Sequence, residues 1–150
     1  MKNIYALFIA ALLIAGCSDP VKIDLTSYTR QIKPLTAIEE NVINRWNSVS
    51  GKSFVNDSYM YQALDEYIID NCSKVVDGLK NIKLQTNEVK SLNNIYISAA
   101  EKQLSGYQLM KTSLEKHDPK MMNDAYKLLT DGRAIENDWA SKLEQMLKQH

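Results

Sequence analysis

The side chains able to do chemistry in this chain are few, and their spacing suits none of the common reactions. The only histidines are His117 and His150, and the only cysteines are Cys17 and Cys72. No Glu-x-x-His occurs, and a di-iron site inside a helical bundle needs two such motifs. There is no Cys-x-x-Cys-His for a c-type haem and no Cys/His cluster at zinc spacing. A b-type haem would need a histidine within a helix, whereas His117 falls in a predicted turn and His150 ends the chain. No Gly-x-Ser-x-Gly elbow presents a serine nucleophile. Gly51-Lys52-Ser53 echoes the end of a phosphate-binding loop, but Trp46 stands where the earlier glycine belongs, and no strand precedes it. The carboxylates Glu39, Glu40, Glu66, Glu101, Glu136 and Glu144 lie among lysines and read as solvated helix faces, with i,i+4 pairs such as Asp138–Lys142 and Glu144–Lys148. The expectation is therefore no enzyme, no metal and no cofactor.

Cys17 is the exception, because of what precedes it. Lys2 supplies a positive start, and Ile4 to Ala15 is apolar without a charge. That run is too short to cross a bilayer, which takes roughly 20 apolar residues, but it suits the apolar region of a signal peptide. It closes on Leu13-Ile14-Ala15-Gly16-Cys17, which resembles the lipobox of bacterial lipoproteins: an aliphatic residue, two small residues, then cysteine. The resemblance implies cleavage after Gly16, diacylglyceryl transfer to the Cys17 sulfur and N-acylation of the new terminus. Two or more acyl chains hold a protein stably at a membrane, at about 0.8 kcal/mol per buried CH2. By the same resemblance, Ser18 in place of aspartate permits transport to the outer membrane of a two-membrane bacterium. With one membrane, the protein would stay on the outer face of the cytoplasmic membrane.

Composition narrows the rest. Without Lys2 the 18 basic side chains become 17 against 18 acidic ones, a net charge of about −1. A near-neutral chain with no basic run lacks the footprint that nucleic acid requires, and it also lacks a polybasic membrane segment. If Cys17 carries lipid, Cys72 has no partner in the chain for a disulfide. Cys72 lies on the stripe Leu64, Ile68, Cys72, Val75, Leu79 and reads as a buried thiol, with an intermolecular disulfide as the alternative.

Four amphipathic patterns must position whatever the chain presents. Residues 1–16 read as signal peptide and 17–25 as a lipidated tether, since Val21 to Leu25 alternates apolar and polar residues like an extended segment. Residues 26–150 read as an all-α, up-down four-helix bundle. The first helix runs from about Thr26 to Ser48, with Pro34 either kinking it or marking a later start. The second is capped by Asp57 or Ser58 and buries Tyr61, Leu64, Ile68, Cys72, Val75, Leu79 and Ile82. The third is capped by Thr86. The fourth begins at Asp118-Pro119, a capping aspartate before a first-turn proline. Each of the last two is about 28 residues, or ~42 Å.

Gly106-Tyr107 and Gly132-Arg133 fall at similar heights on the last two helices. Two readings stay open: small residues that let the helices cross closely, or a shallow groove lined by Tyr96, Tyr107, Arg133 and Trp139 that holds an anion or a carboxylate. The function that fits best is a lipid-anchored envelope module binding another envelope protein, of assembly, immunity or exclusion type. The alternative is an envelope small-ligand binder or enzyme using that groove.

Overall fold

In the computed structural model, residues 19–150 are described. The apolar segment, Cys17 and Ser18 lie outside the described residues. The protein is all-helical, with no strand among those residues. Its four long helices are α1 (Pro20–Asn47), α2 (57–81), α3 (Asn87–Lys116) and α4 (Pro119–Gln149), an arrangement compatible with a four-helix bundle. No described helix is long and apolar enough to cross a membrane.

The start of α1 corrects the extended tether. Residues 20–25 are helical, so the helix begins six residues earlier than the apolar periodicity suggests. The cause is Asp19-Pro20, the same pair of residue types as Asp118-Pro119. The Asp19 carboxylate accepts the amides of Val21 (2.9 Å) and Lys22 (3.4 Å), while proline at the first position loses no helical hydrogen bond. At the other site Asp118 accepts from Lys120 and Met121 in the same way. Pro34 does not end α1, which runs through it. Pro34 and Arg30 are both exposed, so the Arg30 carbonyl that proline leaves without a donor lies on the solvated side of the helix.

The second helix is interrupted by a π-helical stretch, Leu64–Ile68, between Asp57–Ala63 and Ile69–Asn81. Its N-cap is Asn56, one residue earlier than expected, accepting from the Tyr59 amide at 2.9 Å. The wider turn inserts one extra residue and rotates the face that precedes it. Met60 and Ala63 are consequently buried, while Tyr61 moves to the rim and donates its hydroxyl to Glu115 at 2.9 Å. Thr86 is the N-cap residue of α3 but does not cap it with its own side chain. Asp24 on α1 acts there instead. Its Oδ2 accepts the amides of Gln85 (3.0 Å) and Thr86 (2.8 Å) and the Thr86 hydroxyl (2.8 Å). Asp24 is buried, and these bonds hold its carboxyl below the usual range against the opposing effect of burial.

The two ends of the molecule are distinct. At one, His150 meets Asp19, and Gln31 exchanges hydrogen bonds with the backbone of Lys83. At the other, Asp57 lies with Ser113, Leu114 and the turn His117-Asp118 around a shared depression. That turn closes with His117 in the left-handed region (φ 51°), and the Ser113 hydroxyl donates to the Asp118 carbonyl at 2.7 Å. The core forms two apolar clusters. One holds Trp46, Leu64, Tyr107 and Met110, and the other holds Leu25, Tyr28, Tyr96 and Trp139.

Candidate functional site

The residues expected to line a groove do not form one. A Cβ on Gly106 would lie 2.8 Å from Leu129 Cδ2 and 3.2 Å from the Ala125 carbonyl. A Cβ on Gly132 would lie 2.7 Å from Gln103 Cγ and 3.2 Å from the Ala99 carbonyl. The glycines therefore let α3 and α4 cross closely, antiparallel, and the space between them is filled. Tyr96 and Trp139 stack with ring centroids 3.9 Å apart, and Trp139 Nε1 donates to the Tyr28 hydroxyl at 3.0 Å. Tyr96, Tyr107 and Trp139 are all buried. Of the four, only Arg133 is exposed, so the groove between the last two helices is corrected to a closed helix contact.

A polar layer, invisible in the helical periodicity, crosses the middle of the bundle between the two clusters. Tyr96 donates its hydroxyl to Glu39 Oε2 at 2.5 Å, and Gln103 Nε2 donates to Glu136 Oε2 at 2.8 Å. Burial pushes the Glu39 carboxyl up to about 7, and the nearby Glu136 charge adds to this, with only the Tyr96 bond opposing. Glu39 is thus no solvated helix-face carboxylate, because the faces of α3 and α4 that carry Tyr96 and Glu136 cover it. Glu39, Gln103 and Cys72, with Val42, Val75 and Ala100, also line a small recess of about 10 Å³. That space suits one water and no organic substrate.

Cys72 keeps part of its surface open, yet its thiol faces this recess. Burial, with a smaller contribution from Glu39, pushes the thiol up to about 12. From an ordinary value of 9.0 this makes the thiolate about a thousandfold rarer at neutral pH. Cys72 is therefore expected to react slowly with iodoacetamide in the native protein and promptly in denaturant. Equal rates in the two states, followed by mass spectrometry, would overturn its inward placement.

Arg133, halfway along α4 and beside the Tyr107 hydroxyl, borders a surface that runs from there to the end carrying the turn at 117–118. There the segment between α1 and α2 leaves Phe54 and Val55 (67% exposed) open, with Tyr59 open in the first turn of α2, and Phe54 shares a depression with Tyr126 (42% exposed) on α4. A depression of about 360 Å³ is lined by Gly51, Phe54, Asp57, Met60, Met122 and Tyr126. A second, of about 330 Å³, shares Gly51 and Tyr126 and extends past Trp46 and Leu129 to Arg133. Gly51 (φ +55°) makes the turn that brings Phe54 and Val55 over this end, in a backbone region where other residues are strained. Arg45 lies over the Tyr59 ring at 5.4 Å, and the Trp46 and Tyr126 rings are 6.3 Å apart. Four open apolar or aromatic side chains, with Arg45 beside Tyr59 and Arg133 beyond Tyr126, form a surface suited to a protein contact. The sequence signal for it was Phe54-Val55, an apolar pair outside any helical period.

The chain matches no protein-family model, and neither a curated protein nor a solved structure is similar to it at a significant level.

Proposed function

We propose that this chain is a bacterial envelope lipoprotein, anchored through lipid on Cys17, whose up-down four-helix bundle serves as a protein-interaction module rather than as an enzyme. The up-down order is supported by cross-helix pairs: Tyr28 with Trp139 sets α1 antiparallel to α4, Asp65 with Lys111 and Lys80 with Glu101 set α2 antiparallel to α3, and Asp24 with Thr86 and Glu39 with Tyr96 set α1 parallel to α3. The observation that carries the functional reading is the open apolar surface around Phe54, Val55 and Tyr126, at the end of the bundle opposite Asp19. Helix α1 spans 28 residues, about 42 Å, so a lipid attached two residues before Asp19 leaves this surface facing away from the membrane. The partner is another envelope protein. Ser18 favours the outer membrane in a bacterium with two membranes, and the outer face of the cytoplasmic membrane otherwise.

The test uses the acylated protein as bait in an envelope extract. A stoichiometric protein should be retained by the wild type. Phe54→Asp and Tyr126→Asp should each weaken retention about tenfold or more, because aromatic anchors dominate contact energy, while circular dichroism stays unchanged. Full retention by the double variant, or capture of a small molecule alone, would sink this reading.

A further inference from the structure

The end that carries Asp19 has a feature of its own. An open cleft of about 500 Å³ lies between the first turns of α1 and the segment leading into α3, and its charged lining is Lys22, Arg30, Lys83 and Asp24. Lys22 and Arg30 lie on one side of α1, with Lys33 beyond them, and Lys83 shares the cleft with Lys22 and Arg30 from the segment between α2 and α3. Among the described residues, no carboxylate lies within ion-pair distance of Lys22, Arg30 or Lys83. Asp19, Asp138 and Glu144 at the same end are already matched, to His150, Lys142 and Lys148. The one carboxylate in the cleft, Asp24, is buried and engaged by three donors. Those bonds, with the two between Gln31 and the Lys83 backbone, fix the backbone of the far wall, from which the exposed Lys83 side chain extends. The cleft is therefore a preformed, net positive recess in a protein that is neutral as a whole. Ile23, 56% exposed, stands at its edge as an apolar side chain among cations.

We propose that this cleft binds the phosphate of an anionic phospholipid headgroup in the membrane that holds the chain. The inference rests on the anchored reading above. Cys17 precedes Pro20 by three residues, which span at most ~11 Å. A headgroup layer is about 5–8 Å thick. Acyl chains on Cys17 would hold Lys22 and Ile23 at the headgroup layer, and Arg30 and Lys83, about 15 Å further along α1, meet the headgroups where the bundle leans onto this face. A basic site beside a lipid anchor supplies a second membrane signal, and it orients the bundle with its apolar end outward.

The experiment is lysine acetylation of the acylated protein, read by mass spectrometry. It is run on phosphatidylcholine vesicles, on vesicles that also contain phosphatidylglycerol, and on phosphatidylcholine vesicles with added inorganic phosphate. Flotation is recorded for each. With phosphatidylglycerol at low salt, Lys22 and Lys83 should be protected about fivefold. High salt should reverse this, Arg30→Gln should reduce it, and Lys116 and Lys120 at the other end should not change. Equal labelling of Lys22 and Lys83 in both vesicle types, with flotation intact, would refute headgroup binding and leave the anchor standing. Equal protection by inorganic phosphate would refute it in favour of a soluble-anion site. Failure to float would remove the anchor and this inference with it.

Discussion

Glu39→Gln is expected to stabilise the fold at pH 8 and to abolish most of the stability that the wild-type protein gains on acidification. The Glu39 carboxyl is held at about 7 in the folded state against an ordinary 4.5, through burial first and the Glu136 charge second. Between those values the folded chain binds a proton that the unfolded chain has released. Stability therefore rises as pH falls from about 7 to about 4.5 and is level beyond both limits. A shift of this size sets a ceiling of about 3 kcal/mol, and the partial exposure of Glu39 lowers the expectation to about 2 kcal/mol. Glutamine keeps an acceptor for the Tyr96 hydroxyl while removing the charge beside Glu136. Asp24 works in the opposite sense, but below its ordinary value of 3.8, so a series from pH 5 to pH 8 separates the two. Urea unfolding of both proteins across that range is the measurement. Parallel pH profiles for wild type and variant would show that Glu39 is not the buried acid described here.

Cys17→Ser is expected to remove membrane attachment altogether. At about 0.8 kcal/mol per buried CH2, two or three acyl chains account for a partition that no exposed side chain of this bundle could replace. The variant should incorporate no labelled palmitate and should escape lipoprotein-specific processing. The wild type should enter the detergent phase of a phase-separation extract. Wild-type protein left in the aqueous phase would defeat the anchor and, with it, the orientation of the bundle. If the anchor holds, a domain released from the membrane should still bind its partner but lose its biological effect, because anchoring raises effective concentration.

Much of the fold was legible because helix formation and facing are local. The seven-residue recurrence of Tyr28, Leu35, Val42 and Val49 marks a face that is buried except at Leu35, which is partly open, and Asp118-Pro119 marks a helix start seen at that residue. Where local reading failed, the signal was sometimes present and outweighed. Asp19-Pro20 is the same start signal as Asp118-Pro119, but the alternation of Val21 to Leu25 obscured it. The π-helical stretch at Leu64–Ile68 has no such signal. It displaced Tyr61 from the core because one inserted residue turns the whole preceding face.

By itself the sequence determined the number of helices, the extents of the last two and the buried stripe of α2 beyond Leu64, since spacing along the chain decides which side chains point the same way. Only the tertiary structure decided which faces meet and at what height. It made Tyr96, Tyr107 and Trp139 core rather than groove, because Gly106 and Gly132 bring α3 and α4 into contact. It half-buried Glu39 beside Tyr96 and near Glu136, and it gathered Lys22, Arg30 and Lys83 around one cleft and Phe54 with Tyr126 around one end. The burial and charge of these groups depend on neighbours brought in from other helices, and helix crossing and register, which no local spacing encodes, choose those neighbours.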